Sequence, residues 1–152
     1  MKTLDQWLEL YAVSHQNRTN KLIHNVCVPV ITFTVFGLFW TIPVPSFMDF
    51  HPFMNWSTLF GILTLLFYVQ LSFQTFLLMG AQVVVMLLLC FQVNAMTNLL
   101  YTSLFLFVIA WIGQFWGHKI EGKKPSFLQD LQFLLIGPLW VLKGLTGLPK
   151  TK

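Results

Sequence analysis

The residues best suited to chemistry in this sequence are histidines, and three of the four flank one long apolar stretch. His15 and His24 lie at its start and His118 lies at its end, whereas His51 lies inside it. Imidazole is the commonest metal ligand in proteins, and three imidazoles with open coordination positions suit Fe, Zn or Cu. We therefore predict that His15, His24 and His118 form one site.

The spacing of the first two histidines sets a condition on that site. His15 and His24 are nine residues apart, which places them on opposite sides of one continuous α-helix. They converge only if the helix breaks between them. The polar run 16–20 can supply this break, with Thr19 or Asn20 capping the helix that follows.

Other polar side chains accompany these two histidines. Tyr11 precedes His15 by four residues and can share its helical face. The same spacing relates Asn20 to His24. Both pairs would therefore present polar groups beside an imidazole.

The third histidine has polar companions of its own. Glu121 follows His118 by three residues, a spacing by which one helix can offer two metal ligands. Gln114 lies one turn before His118 on the same face. We therefore include Glu121 among the candidate metal-binding and catalytic residues, either as a fourth ligand or as a hydrogen-bond partner of an imidazole.

Less specific interpretations remain open at this point. A single histidine at a membrane boundary is more often an interfacial polar residue than a ligand, and Glu121 beside Lys119 is also typical of a solvated ion pair. Haem bound by two histidines is possible, although its ligands would normally lie deeper between spans. Membrane diiron oxidases use many more histidines than this chain contains.

The composition predicts an integral membrane protein. Hydrophobic residues make up 56% of the chain and charged residues 9%, whereas a soluble domain carries about 25% charged residues. Neither Lys nor Arg occurs from Leu22 to His118, and Asp49 is the only acid there. The net charge of +4 is spread over both flanks of this stretch, which predicts no nucleic-acid partner.

The predicted fold is all-α, an integral membrane four-helix bundle forming a single membrane domain. An N-terminal amphipathic helix over 3–15 precedes four predicted spans, at 21–42, 56–72, 74–93 and 99–116. Four crossings place every Lys and Arg on one side, so both termini are predicted to be cytoplasmic. The endoplasmic reticulum and a bacterial inner membrane both fit, and the oligomeric state stays open.

The segment 126–148 is predicted to be a C-terminal interfacial or re-entrant helix pair. Ser126 and Gln129 fit a capping box at its start. Asp130 and Pro138 interrupt its apolar run, and a fifth crossing would carry Lys143 to the wrong face. In this topology His51 lies a membrane thickness away from the other three histidines.

Two motifs carry a resemblance to a known family. They are Tyr11-x3-His15-x4-Asn20-x3-His24-x4-Pro29 and Trp111-Ile-x-Gln114-Phe-x-Gly117-His118-x2-Glu121-x3-Pro125. Together they resemble the 2-hydroxy fatty acid dioxygenase family, small membrane proteins that include the fungal enzyme of phytosphingosine degradation. The resemblance covers most of the chain, including Asp130-Leu and Gly137-Pro138.

The resemblance implies an Fe(II)-dependent α-oxidation in lipid metabolism, within sphingolipid degradation. A 2-hydroxy fatty acid and O2 would give the acid one carbon shorter and CO2, without a cosubstrate. Carried over residue by residue, the histidines required for activity are His15, His24 and His118. The native metal, Fe or Zn, and the acyl chain length stay open.

Several further residues are candidates for binding the substrate. They are Tyr11, Asn20, Lys21, Gln114 and Lys119. Among them a lysine, or else Arg18, can attract the substrate carboxylate. The alternative function is a non-enzymatic lipid-binding or scaffold membrane protein, whose histidines would be interfacial anchors without a metal.

Overall fold

The computed structural model describes residues 2–122 and 127–146, with side chains described from residue 133 onward in the second range. The described residues form six α-helices and a short 3-10 helix, Ser46–Met48, and contain no β-strand. This confirms the predicted all-α class. The helices are α1 Leu4–Ala12, α2 Arg18–Trp40, α3 Trp56–Val69, α4 Phe73–Met96, α5 Leu99–Glu121 and α6 Phe127–Thr146.

Three of the described helices, α2, α4 and α5, are long and apolar enough to cross a membrane. Helix α3 has 14 residues, which at 1.5 Å per residue measures about 21 Å, less than the roughly 30 Å of a hydrocarbon core. The predicted second span at 56–72 therefore holds a shorter helix. Four crossings with both termini cytoplasmic stay a prediction.

The chain divides into two compact units. The first unit comprises Met1–Val30 and Ile109–Lys152, and the second comprises Ile31–Val108. In the second unit α3 packs against α4, and a cluster of buried side chains forms its core: Phe36, Val83, Met86, Cys90 and Leu99. The single membrane domain stays a prediction, because compact units alone do not decide how a chain inserts.

The first unit holds α1 packed against α6. Thr3 caps α1 in a capping box with Gln6, which satisfies donors that the first turn leaves free. Leu4, Leu8 and Tyr11 are the buried residues of α1, at the spacing that makes one apolar face. The helix ends at Ala12, earlier than the predicted 3–15.

The helix is interrupted between α1 and α2, before His24, as the spacing of His15 and His24 requires. The predicted cap at Thr19 or Asn20 is wrong, because α2 already begins at Arg18. Asn17 caps it: its Oδ1 accepts the backbone N–H of Thr19 at 2.8 Å and that of Asn20 at 3.4 Å. An asparagine carbonyl at this position reaches the second and third free donors of the helix.

Helix α6 is one continuous helix, where a helix pair was predicted. Pro138 lies inside it and removes one backbone donor, a loss of about 3 kcal/mol in a helix interior. Ile136, Leu139 and Val141 are almost completely buried beside it, and each contributes about 1.5–3 kcal/mol. The packing of these side chains offsets the cost of the proline. The predicted capping box of Ser126 and Gln129 lies outside the described residues.

Candidate metal centre

The structure brings together His15, His24 and His118. Their ring nitrogens offer three ligand atoms that all lie within 4.8 Å of one another. His15 and His24 are each 1% exposed, and the ring centroids of His24 and His118 are 4.9 Å apart. Three separate segments therefore supply one cluster: the break after α1, the first part of α2 and the end of α5.

Backbone carbonyls orient two of these imidazoles. The Nδ1 atom of His15 lies 2.6 Å from the carbonyl oxygen of Tyr11, and that of His24 lies 3.0 Å from the carbonyl oxygen of Asn20. A carbonyl oxygen can only accept, so both Nδ1 atoms carry the proton and both Nε2 atoms keep a lone pair. This is the arrangement by which metal-binding histidines are held.

The Nε2 atom of His15 is the strongest sign that the cluster fits a metal ion. It is buried and has no hydrogen-bond partner among the described residues. An unsatisfied buried acceptor costs about 1–3 kcal/mol, a cost that a metal bond to the same lone pair would remove. Three convergent imidazoles also suit Fe, Zn or Cu. The donor set therefore fits a metal ion, and its role as the ligand set stays a prediction.

Electrostatics keep His15 in the form that a ligand needs. Burial is the main cause that lowers the pKa of His15 to about 4; the nearby His118 also acts to lower it, while the hydrogen bond to the Tyr11 carbonyl acts in the opposite direction. An imidazole with that pKa is neutral at pH 7. A neutral imidazole has the lone pair that a metal requires.

Two glycines of α5 allow it to approach α2 closely. A Cβ atom on Gly113 would lie 2.6 Å from Sγ of Cys27, and one on Gly117 would overlap Oδ1 of Asn20. The four-residue spacing of the glycines puts both on one helix face beside His118. The sequence interpretation overlooked this role, although Gly-x3-Gly in an apolar helix is a known signal of close helix packing.

Aromatic side chains cover one side of His15. The Tyr11 ring stacks on it with centroids 4.0 Å apart, and the Trp140 ring lies 5.6 Å away. The Phe133 and Trp140 rings of α6 contact the Tyr11 ring, and a Cβ atom on Gly137 would lie 3.1 Å from the Tyr11 hydroxyl oxygen. The sequence interpretation did not include Trp140, although the helical spacing of these three residues could have indicated a common face.

Glu121 lies at the edge of the cluster and bonds to the helix break. Its Oε1 accepts the backbone N–H of Gln16 at 2.7 Å, and its Oε2 accepts that of Asn17 at 2.9 Å. The Nδ2 group of Asn20 donates to the same Oε2 at 3.0 Å. Glu121 is not one of the three residues of the cluster, and its predicted role as a ligand stays a prediction.

The other predicted site residues differ in their surroundings. Lys21 is half-buried, and its charge contributes to lowering the pKa of His15. Gln114 is buried. Lys119 is exposed, with its Nζ 5.9 Å from the Trp116 ring. His51 is not in the cluster, and its Nδ1 accepts the backbone N–H of Phe53.

Comparison with known proteins identifies the family of the chain. Residues 1–148 match the family model described as 2-hydroxy-palmitic acid dioxygenase Mpo1-like. The 2-hydroxy-palmitic acid dioxygenase MPO1 of Saccharomyces cerevisiae is 29% identical over 138 residues, which cover 89% of this chain and 75% of the relative. No solved structure matches the chain. Similarity to a named dioxygenase indicates an enzyme, and the chain belongs to the Mpo1-like 2-hydroxy-palmitic acid dioxygenase family.

Proposed function

We propose that this protein is an Fe(II)-dependent dioxygenase that shortens 2-hydroxy fatty acids by one carbon. His15, His24 and His118 hold the iron. The observation that carries the proposal is the convergence of three imidazole nitrogens within 4.8 Å in a chain whose relative is named a 2-hydroxy-palmitic acid dioxygenase. The donor atoms are neutral nitrogens, which iron accepts as ligands.

The reaction balances without a cosubstrate. R–CHOH–COOH and O2 give R–COOH, CO2 and H2O. The bond between the carboxyl carbon and the hydroxyl-bearing carbon breaks, and the substrate supplies all four electrons that reduce O2. When bound, iron supplies the redox chemistry with O2. Neither a reductase domain nor 2-oxoglutarate is then required.

The chain's own residues orient the ligands and exclude water. The backbone carbonyl oxygens of Tyr11 and Asn20 fix the proton on each Nδ1, which leaves the lone pair of each Nε2 for the iron. The rings of Tyr11 and Trp140 cover His15, which keeps water away from that side. A dry site strengthens the attraction between charged groups within it.

Lys21 is the residue that attracts the substrate carboxylate. It is half-buried and its charge acts on His15, whereas Lys119 is exposed beside Trp116. An ammonium in partly buried surroundings binds a carboxylate more strongly than one in water. Gln114, buried one turn before His118, is available to the substrate hydroxyl group.

The acyl tail extends into the bilayer beside α2 and α5. Leu22 and Val26 of α2 are exposed apolar residues one turn apart, and Ile112 and Phe115 of α5 are exposed as well. Exposed apolar faces on helices of this length suit lipid. The proposed topology has four crossings and cytoplasmic termini, in the endoplasmic reticulum or a bacterial inner membrane, with a role in sphingolipid degradation.

The test is turnover of 2-hydroxypalmitate carrying a heavy carbon isotope at its carboxyl carbon, with O2 and the purified Fe(II)-loaded protein. We expect labelled CO2 and unlabelled pentadecanoate in equal amounts, and no product without O2. Palmitate, which lacks the hydroxyl group, is the control substrate and should not react. Binding of 2-hydroxypalmitate without any turnover by the iron-loaded protein would instead support a lipid-binding protein.

A further inference from the structure

One carboxylate holds together the chain segments that carry the three histidines. Glu121 accepts two backbone N–H groups, from Gln16 and Asn17, and the side-chain Nδ2 of Asn20. These donors lie more than a hundred residues from Glu121 in sequence. Hydrogen bonds to an ionised carboxylate are about twice as strong as those between neutral groups.

Two of the donors, Gln16 and Asn17, lie in the helix break, and the third, Asn20, lies in the first turn of α2. Gln16 directly follows His15, and Asn20 lies one helical turn before His24. Glu121 itself lies three residues after His118 on α5. The contacts of this single side chain therefore fix the segment between the first two histidines against the helix that carries the third.

Asn20 also makes hydrogen bonds close to His15 and to His24. Its Nδ2 also donates to the carbonyl oxygen of Ser14 at 3.1 Å, directly before His15. The backbone carbonyl oxygen of Asn20 accepts the Nδ1–H of His24 at 3.0 Å. Asn20 is completely buried, so these bonds are made away from water, where they are hardest to replace.

These contacts leave little of the carboxylate for a metal ion. An ionised carboxylate has about four lone-pair positions, and the two oxygens of Glu121 already accept three hydrogen bonds. In the part of the chain that the structure describes, the ligand atoms that converge within 4.8 Å belong to the three histidines. The side chain is engaged with the protein rather than directed at the cluster.

We propose that Glu121 is a positioning residue: through the Gln16, Asn17 and Asn20 contacts it sets the spacing of His15, His24 and His118, without binding the metal itself. The inference rests on the metal centre of the proposed function. Removing such an outer contact lowers metal affinity by about 10–100-fold while the ligand set stays the same.

The experiment is a titration of the metal-free full-length protein with Co(II), followed by visible absorption. Glu121→Gln keeps the size of the side chain but places an amide donor against backbone donors. We expect its Co(II) affinity to fall about 10–100-fold, with the wild-type spectrum recovered at saturation. His118→Ala removes a ligand and should change the saturated spectrum. Glu9→Gln, at an exposed acid of α1, is the matched control and should match wild type.

A second variant tests the contact if Glu121→Gln does not fold. Asn20→Ala removes one donor and leaves the carboxylate in place, so it should also weaken Co(II) binding without changing the saturated spectrum. In the double variant the loss should be smaller than the product of the two single losses, because both substitutions break one shared contact. Independent losses would overturn the proposal.

Three other results would overturn it as well. A saturated Glu121→Gln spectrum that differs from wild type, as expected for His118→Ala, would make Glu121 a ligand. Wild-type affinity in Glu121→Gln would remove the positioning role and leave the metal centre intact. A wild-type protein that binds no Co(II) would overturn the metal centre itself and this proposal with it.

Discussion

Tyr11 contacts His15 in two ways at once. The rings are stacked, with centroids 4.0 Å apart and planes inclined by 5°, and the Tyr11 carbonyl oxygen lies 2.6 Å from His15 Nδ1. The backbone contact fixes which nitrogen carries the proton, and the ring contact fixes the plane of the imidazole. One residue thus determines both the tautomer and the orientation of His15.

Replacing Tyr11 should reveal the contribution of the stacked ring. Tyr11→Ala leaves a cavity where a buried ring packed, so we expect a loss of about 3–5 kcal/mol in the free energy of unfolding. Tyr11→Phe keeps the stacked ring and removes only the hydroxyl group, so the free energy of unfolding should fall by about 1 kcal/mol. Denaturant unfolding in detergent measures both values. Equal losses in the two variants would contradict the role given to the ring.

Gly117 should not tolerate a side chain. Gly117→Ala places a Cβ atom against Asn20 Oδ1 and 3.4 Å from Cε1 of His24, so overpacking should cost about 1–3 kcal/mol and lower metal affinity. Gly144 of α6 is the matched control, because a Cβ atom there meets nothing within 4 Å. Gly144→Ala should instead stabilise the helix by about 0.5–1 kcal/mol. Similar melting temperatures for the two variants would contradict this account.

The metal-free protein should lose stability on mild acidification. The pKa of His15 falls from 6.5 to about 4 on folding, mainly through burial. Between those values the unfolded chain binds more protons than the folded one, so the free energy of unfolding falls as pH drops from 6.5 towards 4. From pH 7 to pH 5 this amounts to about 2 kcal/mol.

His15→Gln provides the control for that measurement. It removes the titrating group, so the fall in melting temperature between pH 7 and pH 5 should be smaller than in wild type. The neighbours of His15 also act on its pKa: His118 and Lys21 lower it, and Glu121 raises it. An unchanged pH dependence in His15→Gln would show that other groups cause it.

Lys21 and Lys119 should differ in their effect on KM. Lys21→Met removes the charge that attracts the substrate carboxylate, so KM for the 2-hydroxy acid should rise about 10–100-fold, corresponding to 1.5–3 kcal/mol for a charged hydrogen bond. Lys119→Met, at the exposed lysine beside Trp116, should leave KM near the wild-type value. Steady-state kinetics over a range of substrate concentrations decide this. A larger effect at Lys119 would reverse the assignment.

Sequence patterns predicted the features that depend on local spacing. The nine-residue separation of His15 and His24 required a helix break, which is present, although it covers residues 13–17 and not the predicted run 16–20. The pairing of Glu121 with Gln16 and Asn17 was not predictable, because it joins backbone donors more than a hundred residues away. The continuity of α6 through Pro138 likewise depends on burial that the sequence alone does not reveal.

The most direct test of the metal centre is elemental analysis of protein purified anaerobically and reconstituted with Fe(II). The wild-type protein should contain stoichiometric iron, and His118→Ala should contain almost none. His51→Ala is the matched control, because His51 lies outside the cluster, and it should keep the full iron content. Iron-free wild-type protein, or full iron in His118→Ala, would contradict a metal centre built from His15, His24 and His118.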